Sequence, residues 1–315
     1  MPLERGYVFA DNNPALPGGS IQPGAWLGST EVPSDAIGPK FAPSFGAGAV
    51  ADISTGVYSW GGGCYTWQLL PEGLMYRSYL AGGREPRIGS QWFYLRGYGW
   101  LWDVTLGGRV GILRYGTEDA AWPEGFQVDI EGAGMPRLDA EHQRDLVSSD
   151  FRFGVPITAR RGPWEAKLAY YHLSSHLGDE WMLSHPTLDR INYVRDCVVL
   201  GLAMRPGADW RLYAEAGYAF YINGGAEPWE FQFGIEYSPT RPSGILGAPF
   251  VATNAHLREE NDFGGNFAAE AGWQWRGDTG RLFRIGAHYF NGFSDQYQFF
   301  QEFEDQLGLG AWYDY

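Results

Sequence analysis

Along the segment from Trp229 to Tyr237 the odd positions, Trp229, Phe231, Phe233, Ile235 and Tyr237, are large and apolar. The even positions, Glu230, Gln232, Gly234 and Glu236, are polar or glycine. A period of two is that of a β-strand with one apolar and one wet face. The pattern returns along most of the chain. Phe151, Phe153, Val155 and Ile157 alternate with Arg152, Gly154 and Thr158. Trp210, Leu212, Ala214, Ala216, Tyr218 and Phe220 oppose Arg211, Tyr213 and Glu215, and Phe267, Ala269, Ala271, Trp273 and Trp275 oppose Glu270 and Gln274. Read this way, the sequence predicts twelve strands, near 75–80, 104–114, 125–133, 149–160, 163–175, 191–204, 209–221, 229–238, 247–257, 264–276, 281–291 and 306–315. An even number of alternating strands with crowded aromatics predicts an all-β fold, a transmembrane antiparallel β-barrel of about twelve strands.

Composition changes this picture only by narrowing it. Of 315 residues, 17% are aromatic and only 19% charged, which suits a surface solvated by lipid. The mean hydropathy of −0.30 is too low for a helical membrane protein, but it fits a barrel whose strands turn half their residues to a polar lumen. No run of about 18 apolar residues free of turn formers occurs, so the sequence predicts no transmembrane helix. A net charge of −14 with no basic stripe excludes nucleic acid as a partner. Cys64 and Cys197 are not in a CxxC pair, which argues against a thiolate metal site. Their spacing leaves open whether they form a disulfide, and Cys197 falls in a predicted strand as a small wall residue. Met1-Pro2-Leu3-Glu4-Arg5 starts no signal peptide, so the numbering is expected to be that of a mature or truncated form.

The two ends of the chain differ from its middle. Residues 1–73 are rich in Pro and Gly, lack clean alternation and carry no charge between Ile53 and Pro71. They are expected to form an irregular N-terminal arm or plug, with the barrel over 74–315. At the other end, Gly308-Leu309-Gly310-Ala311-Trp312-Tyr313-Asp314-Tyr315 resembles the terminal signal read by the barrel-assembly machinery, carried here by Gly310, Tyr313 and Tyr315. Gly308 stands where that signal usually has a polar residue. A last strand reaching the final residues also allows the barrel to close on its first strand and remove open edges.

Projecting the strands inward assigns Asp129, Glu131, Asp150, Glu165, Glu215, Glu230, Glu236 and Glu270 to the lumen. The bases assigned with them are Arg109, Arg152, Arg160, Lys167, Arg195, Arg211, Arg258, Arg276 and Arg284. A selective pore concentrates one sign at its constriction. Nearly balanced signs are instead expected to pair across a filled interior.

Tyr170-Tyr171-His172-Leu173-Ser174-Ser175-His176-Leu177-Gly178-Asp179-Glu180 is the segment that suggests chemistry. His172 and Ser174, two apart on a strand, share one face and continue the lipid-facing series Trp164, Ala166, Leu168, Tyr170. A histidine beside a serine can serve as general base for its hydroxyl. The pair resembles the His-x-Ser-Asn-Gly segment of outer-membrane phospholipases A, twelve-stranded barrels whose dyad faces lipid. The match covers His172 and Ser174 alone: Ser175 replaces the Asn, and Gly178 comes too late. The sequence offers no third, orienting residue; the bland reading is an interfacial His and a loop-starting Ser. His172 and His176 lie about 13 Å apart on an extended strand, too far to share a metal unless a turn intervenes. Asp139-Ala140-Glu141-His142 marks an acidic loop that is either solvated or a calcium site. No cofactor is expected otherwise, since no phosphate-binding glycine loop joins a strand to a helix.

Several further segments carry a resemblance: Gly73-Leu74-Met75-Tyr76-Arg77-Ser78-Tyr79-Leu80-Ala81-Gly82, Glu85-Pro86-Arg87, Ser174 to Glu180, Arg190-Ile191-Asn192-Tyr193, Glu227-Pro228-Trp229 and Tyr289-Phe290-Asn291-Gly292. Together, in order over about 71–315, they are similar to the family catalogued as domain of unknown function 1207, common among planctomycetes. The resemblance implies an outer-membrane compartment and adds no activity. The sequence therefore supports an outer-membrane barrel with a largely filled lumen and a structural or interaction role. Its partners would be outer-membrane lipid and lipopolysaccharide, the assembly machinery during biogenesis, and envelope proteins met by the N-terminal arm. The alternatives are an acyl hydrolase using Ser174 and His172, and a narrow solute channel.

Overall fold

The computed structural model describes residues 64–185 and 190–315. Its strands are β1 (Thr66–Leu69), β2 (Ile88–Leu95), β3 (Gly99–Gly116), β4 (Gly125–Asp139), β5 (Asp145–Arg161), β6 (Trp164–Leu177) and β7 (Val194–Met204). They continue with β8 (Trp210–Asn223), β9 (Trp229–Tyr237), β10 (Ala248–Arg258), β11 (Gly265–Arg276), β12 (Leu282–Phe293) and β13 (Phe303–Asp314). Each strand from β2 to β13 pairs antiparallel with the next, and β13 returns to β2 with Leu309 opposite Trp92. Twelve strands thus close without an edge, and β1 adds to the overhang of β3, Thr66 opposite Gly116. The one α-helix among the described residues is α1 (Asp179–Ser184), a short turn on the 178–193 connection.

The alternation that predicted the strands also decides which way they face. Along β9, Trp229, Phe231, Phe233 and Ile235 are exposed, whereas Glu230 and Glu236 are buried. The largest fully buried side chains are Arg114, Arg195, Arg211, Arg258 and Arg284, followed by tyrosines. Apolar outside and charged inside is the inverse of a soluble core and the arrangement of outer-membrane barrels. Gly310, Tyr313 and Tyr315 close the chain at β13, where Tyr313 pairs with Phe283 and Ile88 and packs edge-on against Tyr315.

One predicted strand is absent. Residues 75–80 are not a strand; the first barrel strand is β2, which the pattern missed. The segment from Pro71 to Arg87 instead runs within the lumen, and the wall replaces a neighbouring strand as its hydrogen-bond partner. Arg114 donates to the carbonyls of Glu72 (2.7 Å) and Gly73 (2.9 Å), and Arg211 donates to Arg77 (2.9 Å). The Leu80 amide donates to Glu236 at 2.8 Å, and the Leu80 carbonyl accepts from Arg87 (2.7 Å) and Arg284 (3.1 Å). Tyr79 stacks on Tyr213 with centroids 3.8 Å apart and donates to Glu215 at 2.7 Å. Buried backbone without such partners would cost free energy comparable to each lost hydrogen bond, so guanidinium groups make the irregular path tenable. Ion pairs Arg84–Asp150 and Arg87–Asp314, both 3.2 Å, tie the segment's end to β5 and β13. The connection 294–302 fills the opposite end: its Tyr297 amide donates to Asp150 (3.3 Å), and Arg258 donates to the Ser294 carbonyl (2.9 Å).

Cys64 and Cys197 are both free thiols, the first exposed and the second buried. Residues 1–63 of the expected arm lie outside the described residues.

Candidate functional site

Most lumen residues named from sequence form pairs, whereas Arg276 donates to the Ser238 hydroxyl and to the carbonyls of Ser238 and Gly280. Arg109 reaches Asp129 at 2.5 Å and Glu131 at 3.8 Å, and Glu131 also holds Arg152 at 3.0 Å. Arg211 lies between Glu165 (3.0 Å) and Glu236 (3.5 Å), and Arg284 between Glu270 (2.6 Å) and Asp314 (2.7 Å). Glu215 accepts from Lys167 at 2.5 Å, while Glu230 meets Arg195 (3.4 Å) and His256 (3.0 Å). Between plug and wall lie two polar cavities of about 20 and 30 Å³, each with room for one or two waters. These groups neutralise one another and present no exposed reactive atom.

The outer wall is different where β6 meets β7. On β6, Tyr170, His172, Ser174 and His176 point outward, alternating with buried Tyr171, Leu173, Ser175 and Leu177. On β7 the outward set is Val194, Asp196, Val198, Leu200 and Leu202, so one carboxylate interrupts an apolar row. The register sets His172 directly opposite Asp196 and Ser174 opposite Val194. His172 Nδ1 lies 2.9 Å from Asp196 Oδ1, and the Tyr170 hydroxyl donates to the same oxygen at 2.7 Å. The side chains of His172 and Asp196 are 40% and 20% exposed. With Nδ1–H committed to the carboxylate, Nε2 of a neutral ring is left to act as a base, the tautomer that a Ser-His-Asp set requires. Ser174, one outward position further along, has a hydroxyl bound to no described residue.

A register shift beside this point reinforces the arrangement. Asp196 pairs with Tyr221 but Cys197 pairs with Ala219, leaving Phe220 as an extra residue in β8. Such a bulge re-aims side chains and is found next to active sites. Phe220, Tyr221 and Ile222 consequently are all exposed in succession, and Phe220 lies 6.2 Å from Tyr170.

Asp196 is the residue the sequence reading missed. Its signal was present: Arg195 was assigned to the lumen, which puts Asp196 on lipid, where a carboxylate is expensive and therefore informative. What was not available was the register that sets it against His172.

The acidic loop satisfies itself. Asp139 accepts from the amides of Glu141 (2.9 Å) and His142 (3.2 Å), from the Tyr98 hydroxyl (2.5 Å) and from His142 Nδ1 (2.9 Å). The carboxylate beside His142 raises that imidazole's pKa above its ordinary value. Among the described residues no group of three or more His, Cys, Asp or Glu is placed to hold a metal ion.

Several solved structures resemble the chain at low identity. Outer membrane phospholipase A from Escherichia coli is 10% identical over 72% of this chain and 89% of that one, with a TM-score of 0.47. The Salmonella typhi outer membrane phospholipase dimer with bound calcium is 9% identical over 72% and 90%, with a TM-score of 0.46. A triple mutant of Rhodopseudomonas blastica porin is 9% identical over 73% and 99%, with a TM-score of 0.32. No curated protein matches the sequence. The DUF1207 family model, described as a protein of unknown function, matches residues 55–315, and the chain, a closed barrel apolar without and charged within, belongs to that family.

Proposed function

We propose that this protein is an outer-membrane acyl hydrolase that attacks membrane lipid from the outer wall of its barrel, with Ser174 as nucleophile and His172 as general base. The observation that carries the reading is the 2.9 Å contact between His172 Nδ1 and Asp196, the one carboxylate in a β7 outer row otherwise made of Val and Leu. A carboxylate on a lipid-facing wall destabilises the barrel, and pairing it to a histidine beside a free serine gives it a chemical use. Ser174 Oγ would attack the ester carbonyl carbon while His172 Nε2 takes its proton. The same proton would pass to the departing alkoxide as the ester C–O bond breaks, and water would then hydrolyse the acyl-serine by the reverse proton path. Asp196 would be a positioning residue that keeps the proton on Nδ1 and steadies the imidazolium.

The site's place in the barrel supports a membrane substrate. Ser174 is three residues from the end of β6, about 10 Å from the rim. That rim is the one opposite the C-terminal end of β13 and carries the long 178–193 connection, and long loops are characteristic of the external side. A paired, plugged lumen supports chemistry on the outer wall more than passage through the middle, so the channel reading has little behind it.

The test is hydrolysis of phospholipid and lipid A in detergent, with and without calcium, by wild type and Ser174→Ala. Turnover is expected for wild type and its loss in the variant, with both proteins keeping a heat-modifiable, folded barrel. Folded wild type without turnover under any of these conditions would return the protein to the structural or interaction role.

A further inference from the structure

One outward step beyond Ser174 on β6 stands His176, whose ring packs edge-on against Phe151 with centroids 5.7 Å apart. Its Nδ1 lies 3.3 Å from Arg190 Nη2, on the connection that leads into β7. A guanidinium has no lone pair, so in this contact the imidazole nitrogen is the acceptor and Arg190 the donor. Arg190 is itself exposed, and no carboxylate among the described residues pairs with it. The arginines buried in the lumen are engaged by carboxylates, carbonyls or aromatic faces. Arg190 instead is anchored by an imidazole nitrogen, and among the described residues no carboxylate competes for its remaining donors at the rim of the outer wall.

Spacing gives that charge a meaning. His176 and Ser174 are two residues apart on one face, about 7 Å, and past the His172–Asp196 pair the wall turns apolar toward the membrane centre, with Leu168 on β6 and Val198 and Leu200 on β7 exposed. From rim to centre the wall therefore offers a cation, a nucleophile and an apolar surface. A phosphorylated acyl lipid presents the same order: a headgroup phosphate, an ester carbonyl across a short polyol linker, and an acyl chain. We propose that Arg190, held by His176, is a phosphate-binding subsite that seats the headgroup of such a lipid with its ester over Ser174. The planar guanidinium suits a phosphate because it can donate two parallel hydrogen bonds to it. This inference rests on the hydrolase reading for its catalytic half and extends it to substrate class: esters bearing a phosphate, in preference to neutral glycerides.

The experiment has two arms on purified full-length protein in detergent. In the first, binding of a short-chain glycerophospholipid, of phosphorylated lipid A and of an uncharged diacylglycerol is measured by calorimetry on Ser174→Ala, with and without Arg190→Gln. The glutamine is expected to weaken one or both phosphorylated lipids about tenfold, equal to ~1.4 kcal/mol, and to leave diacylglycerol unchanged. Which phosphorylated lipid responds identifies the source. In the second, Arg190→Gln in the otherwise wild-type protein is expected to raise KM for that lipid about tenfold with a smaller change in kcat, and an equal loss on a neutral p-nitrophenyl ester would overturn the subsite. Equal affinity of Ser174→Ala for all three lipids regardless of residue 190 would overturn the subsite. Because the first arm needs no turnover, a protein that binds phosphorylated lipid through Arg190 without hydrolysing it would retain the subsite and refute the hydrolase.

Discussion

Two sets of charges in this barrel sit under opposite constraints. In the lumen, Arg284 is fully buried between Glu270 and Asp314 and also donates to the Leu80 carbonyl. On the outer wall, Asp196 and His172 form one pair, partly exposed, in a row of Val and Leu. The lumen charges are numerous because each has a partner at hand, and together they replace the apolar core a soluble protein would use. The outer pair has no such structural task, since an apolar residue at either position would suit the lipid better. Abundance inside is a matter of folding; a carboxylate–histidine pair beside a serine on the outer wall calls for function.

Substitutions on the two sides should separate accordingly. The largest effect is expected at Asp196→Ala, which should lower kcat for lipid hydrolysis by roughly 10³-fold or more with little change in KM and no loss of barrel stability. A stability loss without a kinetic one would place Asp196 among the structural residues and break the contrast. Next comes Arg284→Met, which takes the 2.6 Å partner from buried Glu270 and leaves Asp314 to Arg87 alone; it should cost about 3 kcal/mol, read as a lower urea midpoint in detergent at unchanged kcat. Loss of activity in a stably folded Arg284→Met barrel would mean that lumen and outer wall are coupled. The smallest effect lies in the 140–144 connection. Pairing with Asp139 raises the pKa of His142, so its contribution is complete below the unfolded value and fades as pH rises through the folded one. Titration by NMR should give His142 a midpoint above that of an unstructured histidine, and Asp139→Asn should remove the difference.

The N-terminal part of the lumen shows why one strand was misplaced. Met75-Tyr76-Arg77-Ser78-Tyr79-Leu80 has the aromatic richness of the strands, and Tyr76, Tyr79 and Leu80 are indeed buried. Composition marks a segment as interior without saying whether its amides will meet a neighbouring strand or side chains. Here Arg114, Arg211 and Arg284, contributed by β3, β8 and β12, supply those partners. The adjacent β2, Ile88-Gly89-Ser90-Gln91-Trp92-Phe93-Tyr94-Leu95, was harder to read because Trp92, Phe93 and Tyr94 run together. Phe93 turns into the lumen-facing cluster with Leu101 and Val147, so both faces of that strand are aromatic and the period of two is hidden.

By itself the sequence determined that the chain is a closed barrel, which face of most strands meets lipid, and that His172 and Ser174 share the outer face. These follow from a two-residue period, a property of the extended backbone that needs no knowledge of neighbours. It also determined that the inward charges are balanced in sign. Tertiary structure alone decided that residues 71–87 fill the lumen, because that depends on donors drawn from strands far apart in the chain. It alone placed Asp196 against His172 and Arg190 against His176, since both meetings depend on how β6 and β7 align after the 178–193 connection. A shift of one residue there would turn Asp196 inward and Arg195 out to the lipid.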